Sequence, residues 1–191
     1  MSRSSGYHHG NLQAALEDAA LELLETQSAA RISLREVARR AGVSHNAPYH
    51  HFGDRAALLS ALGVRGMAAL LAAQEEVVAG AETPVERVRV LGLAYVRYAA
   101  AHPQTFSLVF DPDYCTTEQT SAQMEPLVAR NQQLLLDEVT ALVEQVPTFA
   151  GRDPALLAAA LWATVHGMAQ LVMLGHLPLE AVEGSLAALV A

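Results

Sequence analysis

Between Ser44 and Phe52 the chain reads SHNAPYHHF, three histidines, an asparagine and a tyrosine within nine residues of a largely aliphatic sequence. Such side chains can ligate a metal, move protons, or hydrogen-bond to a polar surface such as the edges of nucleic-acid bases. Metal ligation fits poorly. His50 and His51 are adjacent, so on a helix they diverge by about 100° and cannot readily chelate one ion. Zinc sites combine cysteine with histidine or use a histidine pair at i, i+4, and neither spacing occurs. His8 and His9 belong to an N-terminal arm. Catalysis has less support. Cys115 shares a stretch with Asp111 and Asp113, but nothing assigns a base to its thiol. A phosphate-cradling glycine loop and a G-x-S-x-G elbow are both absent from the sequence. We therefore expect no enzyme, no catalytic residue, no metal and no cofactor.

What precedes the stretch decides between these readings. Residues 33–43, SLREVARRAGV, place Leu34, Val37, Ala38 and Ala41 on one stripe of a short helix, with Arg35, Arg39 and Arg40 on its other faces. Gly42 sits where a positive φ would turn the chain sharply, and Ser44 can cap a second short helix through residue 46 or 47. A short helix, a glycine turn and a capped second helix make a helix-turn-helix. In that frame Val43, Pro48 and Phe52 point inward, while His45, Asn46, Ala47, Tyr49 and His50 point outward. Pro48 forfeits a backbone hydrogen bond, a cost tolerable near a helix start. The outward set suits a DNA groove. Asn46 can pair with adenine, the histidines with guanine N7 or phosphate, Ala47 with a thymine methyl, and Tyr49 with a phosphate oxygen.

Charge is distributed to match. Residues 1–60 hold six arginines, six acids and five of the eight histidines, whereas 61–191 account for the whole net charge of −8. An acidic chain is no general polyanion binder, so a nucleic-acid face must be local. The sequence has no lysine, one isoleucine and few aromatics, a balance that favours helix over strand. Its lone cysteine excludes an internal disulfide, and residues 1–11 lack an apolar signal region, so the cytoplasm is the expected compartment. Proline and its caps mark helix starts, as in TPVE at 83–86 and DP at 153–154. The pattern predicts an all-α chain of about nine helices: 11–27, 34–41, 45–51, 54–79, 84–101, 103–110, 118–146, 154–175 and 178–190. Pro126 either starts a helix or kinks one.

The stretch SLREVARRAGVSHNAPYHHFGDRAALLSAL resembles the DNA-binding domain of TetR-type transcriptional regulators, through the helix-turn-helix, the Tyr49-x-x-Phe52 ending, Arg55 and the leucines that follow. YHHGNLQAALEDAALELL, from Tyr7, resembles the first helix of a subgroup beginning Y-H-H-G-N-L, and LWATVHGMAQLV at 161–172 resembles the Trp-His-Gly signature of one class of C-terminal domain. The resemblance implies an all-helical homodimer that binds a palindromic double-stranded operator. Residues 10–70 would read DNA, with the motif at about 33–52, and 71–191 would bind an effector and dimerise. Most such regulators are repressors released by a small molecule. By position Ser33, Tyr49 and Arg55 take the phosphate contacts, and Ser44, His45, Asn46, Ala47 and His50 the base edges. Arg35 adds positive field, and His51 is either structural or a phosphate contact. Pro48 and the histidines depart from the commoner residues, so no operator sequence carries over.

In the C-terminal part, Tyr95, Tyr98, Phe106, Phe110, Met124, Trp162, His166 and Gln170 are candidate lining residues of an effector pocket. His166 and Gln170, at i, i+4 in an apolar helix, would need polar partners if buried. Residues 155–175 run without a charge, long enough to suggest a membrane span. Thr164, His166 and Gln170 interrupt the middle, and no basic cluster flanks it. A subunit interface explains the segment better. Leu161, Val165, Gly167, Leu171, Leu174, Leu186 and Leu189 are the candidate contacts, with Gly167 letting helices approach. A metal-responsive histidine sensor and a membrane-associated helical protein are the alternatives.

Overall fold

The computed structural model describes residues 9–111 and 118–190, with side chains from 12 onward and excluding those of 118–121. The expectations for His8, His9, Asp113 and Cys115 thus lie outside the described residues or side chains. Nine α-helices and no strand occur among the described residues. They are α1 (His9–Leu24), α2 (Leu34–Arg40), α3 (Ala47–Phe52), α4 (Arg55–Ala79), α5 (Pro84–Ala101), α6 (Pro103–Val109), α7 (Glu118–Gln145), α8 (Pro154–Met173) and α9 (Leu179–Leu189). Short 3-10 turns at Ala29–Arg31 and Pro147–Phe149 complete the order.

Capping explains where several helices begin. Asp54 accepts from the Ala57 N–H, Thr83 from Glu86, and Asp153 from both Ala155 and Leu156. Pro84, Pro103 and Pro154 each take a first-turn position where an amide hydrogen has no intrahelical partner. Pro178 instead precedes its helix as the cap. Pro126 lies inside α7, which continues past it.

The helices bury two main cores. Leu16, Leu23, Ile32, Val37, Phe52 and Leu58 close the first around α1, α2, α3 and the start of α4. Met67, Tyr95, Val96, Phe106, Val165 and Leu186 belong to the second. α4 runs through both, about 37 Å of continuous helix, and the division expected at residue 70 falls within it. α6 bridges the cores, because Leu108 packs into the first while Phe106 packs into the second. Its seat on α4 is set by Gly66, where a Cβ would lie 2.7 Å from Thr105 Cγ2 and 3.1 Å from Val109 Cγ2. A larger residue there would force the Thr105 and Val109 side chains to shift.

α4 and α8 are both long and apolar enough, by length and composition, to cross a membrane. α4 has half of its apolar window inside the protein, whereas α8 has only 17% of it covered. The outer face of α8 is the largest run of open apolar helix in the described chain.

Candidate nucleic-acid interface and effector pocket

Ser33 caps α2 by accepting from the Glu36 N–H at 3.2 Å. Gly42 then adopts φ +68°, and the Val43 N–H reaches the Ala38 carbonyl at 3.0 Å, closing the turn. The second helix starts later than its sequence suggests. Asn46 occupies the cap position of α3, and it is the Ser44 main-chain carbonyl that accepts from Ala47 at 3.0 Å. The later start places Pro48 in the first helical turn, where its missing N–H forfeits nothing. A second correction concerns Ala47. Its side chain is buried, as are Pro48 and Phe52, instead of offering a methyl to a base.

His45, Asn46, Tyr49 and His50 remain as an exposed polar face, with Ser44 beside them. His51 is half-buried. Arg35 and Arg39 are exposed on α2 and form no ion pair among the described residues, whereas Arg40 is paired with Glu22 at 2.6 Å. Arg55 does something its sequence position does not suggest. Its guanidinium donates to the carbonyls of Ile32 at 2.9 Å and Ala29 at 2.6 Å, so it braces the turn that leads into α2. The Ala29 N–H in turn donates to Gln104 Oε1 of α6 at 3.3 Å. One peptide segment is thus held from α4 and from α6.

The expected effector residues divide into two places. Tyr95 lies between Phe106 and Phe110, with its hydroxyl 2.8 Å from His166 Nδ1 and Trp162 close by. Burial pushes the Tyr95 phenol up, opposed by a hydrogen bond with the Trp162 side chain, and burial pushes the His166 imidazole down. The indole N–H can only donate, so it donates to the phenol oxygen. The phenol donates to Nδ1 when the imidazole proton sits on Nε2, and accepts when it sits on Nδ1. Beside this cluster a cavity of about 30 Å³ is lined by Gln74, Leu91, Trp162 and Val165 among others. That holds about one water molecule.

Tyr98 is not in this group. It points to a separate groove, ring to ring with His102 at 5.0 Å. Gln170 is exposed on the outer face of α8, so the internal partner expected for it is not required. Met124 is buried in the second core. Two polar residues that sequence reasoning missed lie at the small cavity. Gln74 donates to the Leu91 carbonyl at 3.3 Å and accepts from Asn131 at 2.6 Å. Neither carries a periodic signal: Gln74 is a single amide within α4, and Asn131 is one of several amides along α7.

The expected interface residues also divide. Val165 and Leu186 are buried inside their own chain, closing over Gly92. They are core, not interface. Leu161 is half-buried at the cavity. The residues left outside are Leu171, Leu174 and Leu189, joined by Leu156 at 71% exposure and Trp162 at 45%. Gly167 lies among them, with no atom of its own chain within 4 Å of a Cβ built there.

Two family profiles match. Residues 16–62 match "Bacterial regulatory proteins, tetR family", and residues 88–191, more than half of the chain, match "Tetracyclin repressor-like, C-terminal domain". The chain belongs to the TetR family. It is accordingly a DNA-binding transcriptional regulator. A protein of unknown function from Rhodococcus sp. RHA1 is similar over 98% of this chain and 97% of its own, at 33% identity and a TM-score of 0.81. The TetR family regulator PfmR from Thermus thermophilus shares the fold at 23% identity and a TM-score of 0.69, over 93% and 91%. So does FadR from Bacillus subtilis, solved in complex with stearoyl-CoA, at 17% identity and a TM-score of 0.71 over 93% and 96%. No curated protein matches the sequence.

Proposed function

We propose that this TetR family member is a cytoplasmic repressor that binds a palindromic operator as a homodimer and leaves it when a small effector binds. The observation that carries the reading is the outer face of α3. His45 and Asn46 just before α3, and Tyr49 and His50 on it, are open to solvent, while Ala47, Pro48 and Phe52 are buried, Phe52 within the first core. Such a helix presents its polar groups rigidly, as major-groove reading requires. Asn46 and His45 take base edges, while Tyr49, with Arg35 and Ser33 beside it, takes phosphates. Arg55 acts one step back, by fixing the turn that aims α2.

Dimerisation runs through the open faces of α8 and α9, which form a four-helix contact with their copies around Gly167. Effector binding uses the Tyr95–His166 cluster and enlarges the small cavity beneath Trp162. A conformational change then reaches α6 and changes the spacing of the two α3 helices. Selection from a random duplex pool with the purified chain tests the first step. We expect an enriched inverted repeat with half-sites about 34 Å apart or a multiple of that. Recovery of no repeat, or of a single half-site bound by a monomer, would overturn the reading.

A further inference from the structure

A second and larger cavity lies apart from the aromatic cluster. It opens as a groove of about 640 Å³ where the end of α1, the middle of α4 and the corner between α5 and α6 meet. That volume is in the range of about 300–1,000 Å³ typical of small-molecule sites. Its walls combine apolar surface with polar side chains that can donate hydrogen bonds. Gln27 and Ser28 come from the segment after α1, Tyr98 and His102 from the end of α5, and Gln104 and Thr105 from α6. Glu25 is the one carboxylate in the wall. Arg65 lines the groove too, although Glu17 and Asp18 already pair with it at 3.5 and 2.7 Å.

Three features of these walls specify an occupant. The Gln27 Nε2 is buried and lacks a hydrogen-bond partner among the described residues, an arrangement that folded proteins seldom keep without a use. Gln27 is also one of the residues that line the groove. Burial pushes the Tyr98 phenol up to about 12, so at neutral pH it is an O–H donor. The Tyr98 and His102 rings, 5.0 Å apart and tilted by 48°, add an aromatic corner. Hydrogen-bond donors beside aromatic rings match a planar group that carries hydrogen-bond acceptors.

We propose that this groove binds a small aromatic carboxylic acid, its ring against the Tyr98–His102 wall and its carboxylate accepting from the Tyr98 hydroxyl and the Gln27 amide. The site is distinct from the Tyr95–His166 cluster and does not depend on that cluster binding anything. Its position has a consequence. Gln104, in the same wall, is the residue of α6 that holds Ala29, so an occupant touches the link between α6 and the turn before α2.

Calorimetric titration of the full chain with sodium 2-naphthoate, in the absence of DNA, tests the site without reference to operator release. We expect saturable binding of one naphthoate per chain. The cation 2-naphthylmethylammonium, of similar shape, should bind more weakly, because an ammonium cannot accept from the Tyr98 hydroxyl or the Gln27 amide. Tyr98→Phe keeps the ring and removes the hydroxyl, and Gln27→Leu keeps the bulk and removes the amide. Each should weaken naphthoate binding about tenfold, while the melting temperature shows that the variant is folded. His166→Phe, in the other cluster, should leave binding unchanged. Absence of saturable binding would overturn the proposal. Equal binding of the cation, full affinity in both groove variants, or loss in His166→Phe alone would overturn it as well.

Discussion

The outer face of α3 and the outer face of α8 are both left open by the folded chain, and they differ in almost every other respect. α3 shows imidazole, amide and phenol groups on a six-residue helix. α8 shows Leu156, Trp162, Leu171 and Leu174 along twenty residues. Water satisfies the first face fully, so a single chain can carry it indefinitely and give it up to DNA only when the operator is met. Water is a poor partner for the second, since each Å² of apolar surface left wet forgoes roughly 25 cal/mol. Contiguous apolar patches of this kind mark interaction sites. A polar open face therefore points to a partner that comes and goes, and an apolar one to a partner that stays.

The largest effect should come from Gly167→Leu. Because nothing of the same chain lies within 4 Å of that Cβ, the substitution leaves the monomer's packing intact, and within a helix leucine is intrinsically favoured over glycine by up to about 1 kcal/mol. Only a second copy can be obstructed. We expect sedimentation to show monomers or aggregates in place of dimers, an unchanged helical circular dichroism spectrum, and operator affinity reduced at least 100-fold, roughly the loss of one half-site's contribution. A dimeric variant with full affinity would place the interface elsewhere and break the contrast between the faces.

On α3 the effects should be smaller and of two kinds. Asn46→Ala should cost about 1–3 kcal/mol and relax the preference at one base position per half-site. Tyr49→Phe should weaken binding to all sequences alike, because a phosphate contact carries no sequence information. Fluorescence anisotropy on the selected operator and on single-base variants separates the two. Equal shifts in sequence preference from both substitutions would show that the face is wrongly divided.

How far the sequence reveals these faces depends on whether the signal is local. Proline, cap residues and helical periodicity give the helix order, and the Gly42 turn follows from the chain on either side of it. Ala47 is misplaced by its sequence because it is the first residue of α3, directly after the Asn46 cap, where it is buried together with Pro48. Contacts between distant segments are not legible. Arg55 looks like a phosphate ligand in a string of letters, and only the fold brings Ala29 and Ile32 to it. Tyr95 and Tyr98 illustrate the same limit. Three residues apart, they look like members of one pocket, yet α5 turns one toward His166 and the other toward the groove beside α1. One local signal for α6 is present and is missed by a reading for periodicity. Gly63 and Gly66, one turn apart in LGVRGM, mark the close seat of α6 on α4.

The smallest predicted effect lies on the inner side of α8 and sharpens the contrast from within a single helix. His166 is half-buried against Tyr95 and Trp162, and burial lowers its pKa below the usual imidazole value of about 6.5. The unfolded chain therefore takes up a proton at this residue before the folded chain does. Where the unfolded state binds more protons, stability rises with pH. The contribution of His166 is thus fully present above about pH 6.5 and falls as the pH drops through that value, levelling off once the folded imidazole is also protonated. Protonation would also leave Nδ1 able only to donate to the Tyr95 oxygen. Since other groups titrate in the same range, the measurement is a difference between melting curves of the wild type and His166→Phe at pH 7.5, 6.5 and 5.5. We expect the wild type to lose more stability across that interval than the variant. Parallel curves would mean that the imidazole is as well solvated as the exposed residues on the other side of the helix, and that α8 has no dry face around Tyr95 for an effector to enter.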